Sequence, residues 1–112
     1  MKHDPKVCFL DALKACKWII EFTEGLNVEK YCKDPKTKSA VERQFEILGE
    51  ALNRVKKEDE ACLDGIADWY EIIGFRNVIA HGYDVIDDEI IFDAIKNDIP
   101  QLLAELKKKI EE

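Results

Sequence analysis

Most of the chemistry this chain could perform lies in one stretch, Phe75-Arg76-Asn77-Val78-Ile79-Ala80-His81-Gly82-Tyr83. Projected at ~100° per residue, the helix expected over Trp69–Ala80 puts Trp69, Ile72, Ile73 and Ala80 on one arc, with Arg76 in its middle. A guanidinium is out of place there, because burying it unpaired is costly and the pattern otherwise wants Leu or Ile. Two resolutions follow. Arg76 is a structural arginine paired with a carboxylate, Glu46 and Glu50 being candidates should their face line an interface. Alternatively, the stripe opens on a cleft where its fork of donors meets phosphate.

His81 comes where Gly82 ends the helix, so it can turn toward the same cleft, and imidazole is the group best suited to pass protons near neutral pH. Taken alone, a histidine at a helix end is more often a partner of the helix dipole or a packed ring. Tyr83 sets a phenol at the same mouth, where its plainer role is an aromatic cap on the bundle end; His3 has no comparable company. Together these residue types suit RNA cleavage without a metal or cofactor. The 2′-hydroxyl of the RNA attacks the adjacent phosphorus, and the enzyme supplies a proton shuttle and a cation at the phosphoryl oxygens but no nucleophile of its own.

The elements that must position these residues are helices. Five glycines and three prolines in 112 residues leave few places to turn. A first helix is expected from the cap Asp4, with Pro5 in its first turn and Phe9, Leu13, Cys16 and Ile20 as its buried stripe, up to Gly25. A short turn of helix fits Asn27–Cys32. A second long helix restarts at Asp34-Pro35-Lys36 with Val41, Phe45, Leu48, Leu52 and Val55 inside. Its far side, Glu42, Arg43, Glu46, Glu50 and Arg54, is assigned to solvent, and a loop runs from the charged segment at 56–60 through Gly65. The third helix runs from Ala67 or Asp68 to Ala80. The last runs from Asp87 or Asp88 to the end along Phe92, Ile95, Ile99, Leu102, Leu106 and Ile110, kinked at Pro100. The expected fold class is therefore all-α: one domain over residues 1–112, an antiparallel four-helix bundle with an additional short helix.

A net charge of −7 argues against broad, sequence-independent nucleic-acid binding, while leaving room for a small positive site at one end. Four cysteines (Cys8, Cys16, Cys32 and Cys62) form no Cys-x-x-Cys pair, and neither histidine completes a zinc signature. Lys2, Asp4 and Lys6 interrupt any leader-like apolar run, and nothing approaches the ~20 apolar residues of a membrane span. Reduced thiols in a cytoplasmic protein are the expectation.

The stretch Trp69-Tyr70-Glu71-Ile72-Ile73-Gly74-Phe75-Arg76-Asn77-Val78-Ile79-Ala80-His81-Gly82-Tyr83 closely resembles the signature of the HepT-like branch of HEPN proteins, Arg-x4-His-x-Tyr. The segment Ala40-Val41-Glu42-Arg43-Gln44-Phe45-Glu46-Ile47-Leu48-Gly49-Glu50-Ala51 looks like that branch's second long helix, so the likeness covers most of the chain in the right order. The resemblance implies a helical bundle that dimerises, with further assembly left open, and two Arg-x4-His segments meeting in one cleft. It implies Arg76 and His81 as the catalytic pair, Asn77 in support by orienting the following loop, and RNA as substrate. It further implies an MntA-like minimal nucleotidyltransferase as antitoxin, which transfers AMP to Tyr83 and so adds bulk and negative charge at the cleft. The alternative is a non-catalytic HEPN subunit that binds and regulates a nucleotidyltransferase. Asp84, Asp87 and Asp88 follow the motif; some can cap the next helix, and any facing the cleft would oppose RNA.

Overall fold

The computed structural model of the chain describes residues 4–81 and 86–112, and the side chains of Ala80 and His81 lie outside that description. The described residues form six α-helices: α1 (Pro5–Thr23), α2 (Val28–Cys32), α3 (Pro35–Asp59), α4 (Trp69–His81), α5 (Asp88–Asn97) and α6 (Ile99–Glu111). One 3-10 turn at Glu60–Leu63 lies within the expected loop. The fold class is all-α, as the periodicity predicts.

Local chemistry sets most boundaries. Asp4, Asn27 and Asp34 each sit just before a helix and accept a backbone N–H from Lys6 (2.9 Å), Lys30 (2.8 Å) and Thr37 (3.1 Å), satisfying donors that the first turn leaves free. Pro5 and Pro35 open α1 and α3, where a missing N–H costs nothing. After α1, Gly25 takes φ +79°, a left-handed conformation that only glycine adopts without strain.

The last helix departs from expectation. The chain breaks at Asp98 instead of kinking at Pro100, giving α5 and α6. The Asp98 N–H closes α5 on the Ala94 carbonyl at 2.8 Å, and its carbonyl opens α6 by accepting from Leu102 at 3.0 Å. Restarting at Ile99 moves Pro100 into a first turn, where its ring meets no preceding carbonyl. The apolar stripe survives the break, with Phe92, Ile95, Ile99, Leu102 and Leu106 all buried.

At the centre is α3, whose Val41, Phe45, Leu48, Leu52 and Val55 are buried as its spacing predicts. α1 packs along it through Cys8, Ala12, Ala15, Cys16 and Ile19, and α6 covers the other side of α1. Ile20, expected in the α1 stripe, is 36% exposed, while Ala12 and Ala15 are buried in its place. α4 takes α3 as its principal neighbour. Lys56 lies over the Trp69 ring, and the rings of Phe45 and Phe75 meet at 6.0 Å, so the two helices run antiparallel. Among the described residues, no helix is long and apolar enough to cross a membrane.

Candidate active site

α4 carries the Arg-x4-His segment, and its inward residues are Ile72 and Ile79, both buried against the core. Trp69, Ile73, Phe75 and Arg76 are half-buried. Arg76 is thus on the flank of the stripe, not in its middle, because Ile72 and Ile79 make the contact with the core. From this flank the stem of the arginine lies against α3 at Gly49. Its Nη1 donates to Oδ1 of Asn77 at 3.0 Å.

The carboxylates considered as partners of Arg76 are engaged elsewhere. Glu50 accepts from Arg54 at 2.7 Å and Glu46 from Arg43 at 3.4 Å, both along the surface of α3. Among the described residues, no ion pair includes Arg76. Its only described hydrogen-bond partner is a neutral amide, which orients the guanidinium without cancelling its charge. Asn77 itself, expected to orient the following loop, has Arg76 as its described partner.

His81 is the last residue of α4, one beyond the expected end. Helical backbone through this position sets 76 and 81 ~140° apart around the helix axis. Position 81 falls instead on the strip of positions 70, 74 and 77, which faces away from α3. The His81 side chain, Gly82, Tyr83 and Asp84 lie outside the described residues, as does His3.

Two of the acidic residues after the motif have structural work. Asp87 caps α5, accepting from the N–H groups of Glu89 (2.9 Å) and Ile90 (3.3 Å). Asp88 pairs with Lys38 at 3.0 Å. Beside this pair Glu42 is half-buried, not fully solvated as expected, and burial, then the Asp88 charge, pushes its carboxyl above the usual range. The Tyr31 ring, fully buried against Phe92 at 5.3 Å, leaves its hydroxyl unpartnered among the described residues. An apolar recess of about 200 Å³ separates the end of α4 from α5, lined by Phe75, Val78, Ile79, Ile86, Ile90 and Ile91, with Asp87 at its edge.

One residue at this site is not picked out as functional by its type. Gly49 is buried in mid-helix, where glycine costs ~1 kcal/mol relative to alanine. An unexplained glycine inside an otherwise good helix is the signal that a neighbour comes close.

The family described as ribonuclease HepT-like matches residues 12–109. A protein of Thermococcus cleftensis named probable ribonuclease HepT is 32% identical over 108 residues, 96% of this chain and 97% of its own length. One from Caldanaerobacter subterraneus subsp. tengcongensis, named provisionally as an RNase, is 33% identical over 96 residues, 86% of this chain and 85% of its own. A third, from Methanocaldococcus jannaschii and with the same provisional name, is 32% identical over 111 residues, 99% of this chain and 91% of its own. No solved structure matches the chain. With nearly the whole bundle matched, from α1 through the Arg76 helix to α6, the chain belongs to the HepT-like ribonuclease family.

Proposed function

We propose that this chain is a metal-independent endoribonuclease toxin of the cytoplasm, cutting RNA at a cleft built from the Arg-x4-His segments of two copies. The observation that carries the reading is the state of Arg76. It is half-buried, is tethered through the neutral Asn77 and, among the described residues, has no carboxylate partner. Such a guanidinium has donors free for a phosphodiester. In the reaction the 2′-hydroxyl oxygen bonds to phosphorus as its proton passes to a base, and the bond to the 5′-oxygen breaks. The leaving oxygen takes up a proton, and the products are a 2′,3′-cyclic phosphate and a 5′-hydroxyl end. His81 is the proton carrier, and Arg76 stabilises the charge that builds on the phosphoryl oxygens.

Two features support a composite site. Positions 76 and 81 face different ways around α4, so a second copy is the natural source of the complementary group. The outward side of α4 and its neighbour α5 also expose apolar surface, with Tyr70 73%, Val78 43% and Ile90 55% accessible. In this reading an MntA-like nucleotidyltransferase is the antitoxin, and AMP on Tyr83 silences the site by placing a phosphate where the substrate's phosphate must sit.

The test is cleavage of labelled cellular RNA by the purified protein in excess EDTA, beside Arg76→Ala and His81→Ala. Cleavage by the native protein alone is expected, with cyclic phosphate ends. Equal cleavage by all three would mean a contaminant. No cleavage by native protein shown by mass to be free of AMP would hand the site to a non-catalytic subunit that regulates a nucleotidyltransferase, a role the net charge of −7 also suits.

A further inference from the structure

α3 runs for 25 residues, and Gly49 sits in its middle, fully inside the molecule. A methyl group built there would overlap Cβ of Arg76, come within 2.9 Å of its Cγ and lie 3.3 Å from the carbonyl oxygen of Ile72. α4 therefore crosses α3 over a notch that only a missing side chain provides, and what fills the notch is the stem of Arg76. With Cβ and Cγ held there, the first side-chain torsion has little freedom, and the guanidinium emerges in the direction that meets the Asn77 amide at 3.0 Å. On one side the arginine is set by the absence of atoms on α3, and on the other by a hydrogen bond on α4.

We propose that Gly49 is a positioning residue for Arg76, fixing where the phosphate-binding guanidinium points; this rests on reading Arg76 as that cation. A methyl at 49 meets Cβ of Arg76, which no rotamer change moves, so α4 must shift on α3 and carry the guanidinium with it. A displacement of the cation by about an ångström can cost on the order of a hundredfold in rate when geometry is decisive.

The test compares Gly49→Ala with Ile99→Val, a core substitution on α6, which has α1 and α5 as its main neighbours, that lowers melting temperature without touching the notch. In steady-state cleavage of labelled RNA, Gly49→Ala is expected to lower kcat at least tenfold with KM little changed, and Ile99→Val to leave both near native. Combining Gly49→Ala with Arg76→Ala should cost nothing beyond Arg76→Ala alone, since a positioning residue has nothing left to position. The Nε–Hε resonance of Arg76 reads the geometry without catalysis: it should move in Gly49→Ala and stay in Ile99→Val. Should Gly49→Ala not fold, nuclear Overhauser contacts between Gly49 Hα and the Arg76 β and γ protons in the native chain decide the point, and their absence overturns the proposal. An unchanged kcat and resonance in Gly49→Ala, or an equal loss in Ile99→Val, also overturns it. If the native protein cleaves no RNA, the nuclease reading falls, and the resonance and Overhauser contacts alone decide whether Gly49 aims Arg76.

Discussion

A single hydrogen bond, from Arg76 to Asn77, marks the point where this family's motif becomes geometry. Removing the acceptor should loosen the guanidinium without deleting it. Asn77→Ala is therefore expected to lower kcat about tenfold, the low end for a hydrogen bond to a charged group, against ~10²–10³ for Arg76→Ala, the size of losing one transition-state donor. Equal losses in the two variants, measured on the same RNA, would show Asn77 acting on substrate directly. The cysteines give a separate residue-scale prediction. Burial pushes the Cys16 thiol up from 9.0 to about 12, so at pH 8 only ~1 in 10⁴ is ionised and the thiolate that reacts is nearly absent. Iodoacetamide should leave Cys16 unlabelled in the folded chain and label it in guanidinium, as read by peptide mass. The linkage has one sign: the thiol is harder to ionise in the folded state, so stability is level below pH 9 and falls as pH climbs from 9 toward 12. The burial of Cys16 was legible from pattern alone, since it continues a helical stripe, and Arg76 stood out because it interrupts one. The Gly49 notch was not, because a glycine's partner is set by how two helices cross, and one helix's periodicity carries no crossing geometry.

At the scale of elements, the helices follow from capping residues and apolar spacing, and their ends agree with expectation within a residue or two wherever a side chain closes the turn. The exception at Asp98 is instructive. A proline inside an unbroken apolar stripe permits either a bent helix or two helices, and local sequence does not separate them; the outcome depends on which one keeps Ile95, Ile99 and Leu102 all buried. A similar ambiguity moved Ile20 out of the core, since Ala12 and Ala15 look neutral in a hydrophobic pattern yet form the contact face of α1. Asp87 tests the capping argument where it bears on function. It accepts two N–H groups at the start of α5, and Asp87→Ala should cost ~1 kcal/mol. For a chain of this size that lowers the melting temperature by about 4 °C, with kcat unchanged if the cap only anchors α5. A matching fall in kcat would place Asp87 in the cleft.

For the molecule as a whole, the question is what covers α4. Inside the chain this helix has α3 as its main neighbour, and its outward side shows Tyr70 and Val78 to solvent. Gly74 lies between them, and a Cβ there would meet nothing within 4 Å among the described residues. The two helical glycines thus differ in kind. Gly49 is explained within the chain by the stem of Arg76, while Gly74 carries the same helix-weakening cost with no neighbour among the described residues to justify it. A close approach by another molecule would justify it, and position 81 lies at the end of the same outward strip. In an isolated chain, Gly74→Ala should stabilise the helix by ~0.5–1 kcal/mol. If a second copy packs α4 against α4 here, the added methyl should instead weaken self-association and lower cleavage together. Light scattering over a concentration series, with kcat measured on the same samples, separates these outcomes. Val78→Asp, which places a charge on the exposed strip at the rim of the apolar recess, should give a folded monomer that does not cleave. A Gly74→Ala protein that is more stable, equally associated and equally active would mean that copies of the chain do not meet along α4, and the composite cleft would have to be sought on another face.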